Sequence, residues 1–414
     1  MKLAAGTPLV ISLMTNLNDP PMPVARLVIV QGVAQLEWAR EVLAYGLSVS
    51  PLHYPLETGL HPARKPALFD GLHGFLADSL PDAWGTMLLR RYVQRAGLDF
   101  DNFSAADRLA MVGRRGRGAL IFAPESLPSS AGDRIDLDAL ASEARLVLTG
   151  DASELDDVML RLGGGSGGAR PKVHISMSAD GRLAPEGEGD SEWIVKFPAL
   201  NDPLDIGPVE EAYARMARAS GISMAETRML PSAHGPGHFA TRRFDRLALG
   251  QRLHMVSLGG AVEASPSMPS LDYDGFLGAT LSITRDVRDV EQAFRRMLFN
   301  ILAHNRDDHV RQQSFLMDAR GEWRLAPAYD LTFANGPGGE HYMAVMGEGR
   351  AITRAHVEAL GARHGIAPKR IAAVTDEVRA AVADWQHLAR DTGVSKSANE
   401  IGDRIAVIDR RFQN

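Results

Sequence analysis

One stretch of this 414-residue chain limits its fold more than any other. From Asp157 it sets out a short apolar run (DVMLRL), a glycine run (GGGSGGARPK), an alternating segment (Val173–Met177) and an apolar segment holding one lysine (Trp193–Phe197). A proline then opens VEEAYARMARAS. In that last segment Val209, Ala212, Tyr213, Met216 and Ala217 recur at helical spacing, with Gly221 as the stop. The proline at 208 suits a first helical position. The order predicts strand, glycine loop, strand, lysine-bearing strand and glutamate-bearing helix.

Closely spaced glycines turn backbone N–H groups toward an anion without side chains in the way. A glycine run is equally the composition of a linker, and no Ser or Thr follows Lys172 as a Walker loop requires. Lys196 sharpens the choice. An ammonium inside an apolar strand must reach solvent or find an anion, because burying it unpaired costs several kcal/mol. Glu210 is the candidate partner, with Glu211 as its rival. A lysine held by a carboxylate and aimed at phosphates is the arrangement a kinase uses.

Further on, Val290, Ala293, Phe294, Met297, Leu298, Ile301 and Leu302 form a helical stripe that runs into HNRDDH (304–309). His and Asp there could ligate a hydrolytic metal. Alternatively one Asp deprotonates a hydroxyl while a polar residue nearby binds Mg²⁺. Ser314–Met317 and Glu322–Leu325 read as a hairpin that delivers the chain to Asp330 in AYDL. The order Asp307, hairpin, Asp330 favours phosphoryl transfer, and no HxH or HExxH pattern supplies the further histidines of a metallohydrolase.

Composition removes other classes. No cysteine is present, which excludes disulfides, thiolate metal sites and cysteine nucleophiles and fits a cytoplasmic protein. Lys and Arg number 45 against 51 Asp and Glu, and a net charge of −6 does not hold a protein to DNA by bulk charge. No apolar run approaches a membrane span of roughly 18 residues. MKLAAGTPLVISLM reads as a first β-strand, not a signal peptide. Arg90, Arg91, Arg95, Arg114, Arg115 and Arg117 read as solvated surface, with nucleic-acid contact as the minor alternative. SLPDAWG (79–85) reads as a buried structural corner. Residues 351–414 read as packing helices. Turn-rich seams lie near 124–133, at Gly163–Gly168 and at 179–192.

Taken in order, VSPLHYPL, FDGLHGFLADSLPDAWG, MVGRRGRGAL, GGGSGGARPK, WIVKFP, VEEAYARMARASGI, RRFDR, LFNILAHNRDDH, SFLM and LAPAYDL resemble the signature segments of HipA-type serine/threonine kinases, the toxins of bacterial HipBA modules. The resemblance covers nearly the whole chain. It implies an α+β, two-lobed, protein-kinase-like fold in three parts: a small β-rich N-terminal subdomain (1–125), a kinase N-lobe (126–245) and an all-helical C-terminal lobe (246–414). It implies ATP and Mg²⁺, a HipB-like DNA-binding antitoxin that alone brings the chain to DNA, and a protein substrate such as an aminoacyl-tRNA synthetase, whose phosphorylation promotes dormancy.

Carried over by motif, Asp307 is the catalytic aspartate, His309 lies near the phosphates, Asp330 holds Mg²⁺ and Lys196, paired with Glu210, contacts the α/β-phosphates. Gly165, Ser166, Gly167 and Gly168 form the phosphate loop, and Ser166 corresponds to an inhibitory autophosphorylation site. Two negative charges cannot remain where the triphosphate binds. Arg242 and Phe244 of RRFDR lie by the adenine. One position departs: where the family has a metal-binding asparagine, this chain has Gln312, which adds a methylene to the reach of the amide. That departure motivates the alternative of a catalytically weak binding module acting with an antitoxin as co-repressor.

Overall fold

The computed structural model describes residues 2–4, 6–127, 135–151, 155–165 and 168–413. Their strands form three antiparallel sheets. The first part runs β1 (Leu9–Leu13), β2 (Met22–Val30), β3 (Val33–Trp38), α1 (Arg40–Tyr45), β4 (Leu60–Pro62), α2 (Gly74–Ala77), α3 (Ala83–Arg95), α4 (Ala105–Val112) and β5 (Leu120–Ala123). Its five strands lie in the order β4-β3-β2-β1-β5. Leu9, Ile11 and Leu13 alternate inward along β1 as a half-buried strand requires.

The middle part runs α5 (Leu137–Thr149), α6 (Asp156–Gly163), β6 (Lys172–Met177), β7 (Leu183–Pro185), β8 (Ser191–Lys196), α7 (Ile206–Ala219), β9 (Thr227–Leu230) and β10 (His238–Arg242). Its sheet has the order β7-β6-β8-β10-β9. The lysine strand and the glutamate helix are therefore both present, with Pro208 inside the first turn of α7 and not at its opening. DVMLRL, expected as a strand, is α6. Met159 and Leu162 sit three apart on the face packed toward α3, and six residues are too few to separate a period of 2 from 3.6.

The last part runs β11 (His254–Ser257), α8 (Leu258–Val262), α9 (Tyr273–Thr284), α10 (Val287–Leu302), β12 (Ser314–Met317), β13 (Trp323–Leu325), α11 (Arg354–Arg363), α12 (Pro368–Ala383), α13 (Trp385–Thr392) and α14 (Ala398–Gln413). The expected hairpin is β12–β13, and β11 pairs with β12 to complete a three-stranded sheet. The C-terminal lobe is therefore not all-helical. β11 follows a charged, turn-rich segment and spans only four residues, too short a run for periodicity to reveal.

Two apolar cores divide the molecule. One runs from Leu9, Ile11 and Leu27 of the first sheet through Phe75, Tyr213 and Phe294 to Phe412. The other holds Val173, Ile175 and Val195 of the middle sheet together with Trp84 and Leu88 of α3, Leu140 of α5 and Met159 of α6. Two buried carboxylates pin the first part to the last. Asp78 accepts from the backbone N–H (2.6 Å) and hydroxyl (2.7 Å) of Ser257. Glu263 accepts from the Tyr54 hydroxyl and from the Gly74 N–H at 3.3 Å. No helix among the described residues is long and apolar enough to cross a membrane.

Candidate active site

A cavity of about 330 Å³ opens between the middle sheet and the loops that follow α10 and β13. Lys172 and Lys196 reach it from the paired strands β6 and β8, where the two residues face each other in register. Lys196 is 8% exposed. Its ammonium donates to Glu210 Oε2 at 2.5 Å and also to Asp330. Glu211, the rival partner, pairs instead with Arg215 at 2.7 Å. Glu210 is held a second time, by Arg170 at 3.0 Å.

Burial alone would neutralise these groups, so their charges depend on one another. Burial opposes the charged form of Lys196, but Asp330 and Glu210 outweigh it and hold the ammonium above its ordinary range. Asp330 is half-buried, with its side chain 27% exposed; burial opposes its charge, but Lys196 and Lys172 keep its carboxyl well below the usual carboxylate range. Lys172 fares differently: burial pulls it down to about 8, with Asp330 opposing and Lys196 adding to the fall. Asp330 has φ +57°, a left-handed conformation that a non-glycine residue adopts at some cost.

Gln312 Nε2 lies 3.1 Å from Asp330 Oδ2. Asp307 sits at the rim, its side chain 47% exposed, with His309 Nε2 3.7 Å from its Oδ1. Burial raises the Asp307 carboxyl; His309 opposes this, and the negative charge of Asp330 adds to it. The remaining HNRDDH residues face elsewhere. His304 stacks on Phe333 and contacts Asn335. Asp308 is fully buried, accepting from the Tyr273 hydroxyl at 2.6 Å and the Tyr342 N–H at 2.8 Å. Among the described residues no group of three or more His, Asp or Glu stands where it could hold a metal.

Residues 21–123 match the family model described as the HipA N-terminal domain, and residues 164–385 match the HipA-like C-terminal domain. The chain belongs to the HipA family. Its fold matches that of Shewanella oneidensis HipA, solved with HipB and its operator DNA: TM-score 0.72, 17% identity, 98% of this chain and 97% of that one. A Sinorhizobium fredii protein named "Putative kinase Y4dM" is 31% identical over 166 residues, 36% of this chain; the match spans 39% of that relative's length. The Helicobacter pylori proinflammatory kinase CtkA aligns at TM-score 0.39 and 14% identity, over 54% of this chain and 88% of that one. The fold is HipA-like and two-lobed, and the cavity lies in the cleft between the middle sheet and the loops after α10 and β13.

Of the residues singled out in the sequence of this HipA, Gly168, Lys196, Arg242, Phe244, His309, Gln312 and Asp330 line the cavity. Glu210 stands behind Lys196, and Asp307 lies beside His309. Phe244 packs on Tyr329 at 5.6 Å. Gly165 packs so closely that a Cβ there would meet the Arg115 carbonyl oxygen at 2.7 Å. Ser166 and Gly167 lie outside the described residues.

The sequence reading missed four groups. Lys172 lines the cavity, as do Arg311 from the loop after α10 and Asp82 and Arg117 from the first part. Arg117, read as surface, is half-buried and paired with Asp82 at 3.3 Å; burial opposes its charge and Asp82 outweighs it. Arg115 turns inward too, donating to the Met111 carbonyl at 3.0 Å. SLPDAWG is a buried corner in that Trp84 donates its indole N–H to the Lys172 carbonyl at 3.0 Å. The same corner also presents a carboxylate to the cavity.

Proposed function

We propose that this HipA is an ATP-dependent serine/threonine protein kinase and the toxin of a type II toxin–antitoxin pair. The observation that carries the reading is Lys196 joined at once to Glu210 and Asp330 in a cavity with six cationic side chains (Arg117, Lys172, Lys196, Arg242, Arg243, Arg311) against three carboxylates (Asp82, Asp245, Asp330). Six minus three leaves an excess of three positive charges, which suits a polyphosphate.

Gln312 donates its Nε2 to Asp330 Oδ2 at 3.1 Å, which places the amide beside the carboxylate; the carboxylate and the amide's carbonyl oxygen are hard oxygen ligands of the kind Mg²⁺ takes. They would hold that ion, which when bound neutralises phosphate charge. Lys196, steadied by Glu210, and Lys172 hold the phosphates; Gly165, Ser166, Gly167 and Gly168 cover them; Arg242 and Phe244 border the base. Asp307 orients the substrate hydroxyl. Its proton passes to a carboxylate oxygen of Asp307 as the oxygen–phosphorus bond forms and the bond to ADP breaks. His309, beside Asp307, faces the phosphates.

The partner is a HipB-like antitoxin, as in the Shewanella complex, and DNA is reached through it. The substrate is a translation protein such as an aminoacyl-tRNA synthetase, and Ser166 is the inhibitory autophosphorylation site. Incubation with labelled ATP and Mg²⁺ should label Ser166 and a cellular protein, and Asp307→Ala should abolish both. ATP-binding material that labels nothing would leave the co-repressor reading in its place, tested by operator binding of the antitoxin with and without this chain.

A further inference from the structure

Three segments distant in sequence converge on one carboxylate. Asp82 stands at the head of α3 and caps nothing in its own helix. Its Oδ2 accepts from the Gly168 N–H at 2.5 Å and lies 3.3 Å from Arg117; its Oδ1 accepts from Arg311. Gly168 ends the glycine loop at φ +92°, and Arg311 follows His309 by two residues. One anion from the first part of the chain thus fixes both the upper and the lower lip of the cleft.

We infer that Asp82 is a positioning residue, which ties the end of the glycine loop to the loop carrying His309 and so sets the gap in which the phosphates lie. This rests on the nucleotide reading above for its ligand, but not for the tie itself. Asp82 is half-buried, and burial opposes its ionisation, yet Arg117 and Arg311 outweigh that and keep its carboxyl below the ordinary range.

An opposing effect must be weighed. A carboxylate beside phosphates repels them, so its removal could tighten binding. Removal would also release Gly168 and Arg311, leave Arg117 without its partner, and take from Lys172 one of the anions that sustain its charge. Both lips of the cleft lose the tie that sets their spacing, and the geometry therefore favours a net loss.

The test uses the full chain with Asp82→Asn, which keeps an acceptor oxygen and loses the charge, and Arg311→Gln, which cuts the same tie from the other side should the first variant fold poorly. ATP affinity should fall about tenfold in both, the loss expected for one charge-assisted hydrogen bond, while adenosine affinity stays within about twofold. Hydrogen exchange without nucleotide should speed up at Gly168 and at residues 309–312. Unchanged or tighter ATP binding with unchanged exchange overturns the tie. Wild-type protein that binds no ATP while exchange still responds removes the nucleotide reading and leaves the tie standing.

Discussion

The two joints of this HipA are built from different materials. The first sheet joins the C-terminal half through hydrocarbon, in one apolar core from Leu9 to Phe412. The middle sheet shares a second core with α3 of the first part, and at the cleft it meets the last part through charge: Lys196 with Asp330 and, by way of Asp82, Gly168 with Arg311. Apolar burial is non-directional and a ligand has no means of replacing it. Ion pairs at a cavity can be exchanged for a ligand's own charges. The first joint makes a platform, the second a jaw that phosphates can engage.

Phe75→Ala attacks the platform, where the ring is 1% exposed and packs against Trp38 at 6.2 Å. It should cost about 3–5 kcal/mol in urea denaturation. A much smaller loss would show that the hydrocarbon joint is not continuous. Asp330→Asn attacks the jaw instead. Labelling by ATP should fall about 10²–10³-fold, the scale for removing one preorganised electrostatic group, while the urea midpoint moves far less than in Phe75→Ala. Equal destabilisation by the two variants would erase the distinction between the joints.

Charge in the jaw also makes it titrate. The raised carboxyl of Asp307 must lose its proton to act as a base, so activity should climb about tenfold per pH unit along an acid limb whose midpoint lies above the ordinary Asp value of about 3.9. Asp330, held ionised, adds no limb in that range. The smallest effect expected is on affinity. Lys172 loses its charge as pH rises through about 8, so ATP binding should weaken there by a few fold, about what one phosphate contact is worth, and Lys172→Arg should flatten the profile. A flat wild-type profile would show that Lys172 takes no part.

What could be read in advance follows from which contacts are local. Lys196 announces itself as a cation in an apolar strand, and Glu210 follows fourteen residues later on a helix with a clear apolar face. Asp330 is legible because the hairpin before it is. HNRDDH shows the limit of such reading: its density of polar groups marks the loop, but only the backbone path decides that Asp307 and His309 face the cleft while His304 and Asp308 turn inward. Asp82 and Arg117 reach the cavity from 114 and 79 residues upstream of Lys196, and nothing in PDAWG or RRGRG distinguishes a carboxylate or guanidinium that crosses to another lobe from one that faces water. DVMLRL and the β11 strand failed for want of length.

The hydrocarbon joint also bears on how the chain is made. The first sheet leaves the ribosome well before α10 and α14, whose Phe294 and Phe412 lie at the far end of the core it belongs to. At about 5–20 residues per second, its apolar face waits roughly 15 s or more for the remainder of the polypeptide. The order of synthesis therefore leaves that apolar face uncovered for seconds before the fold can close over it.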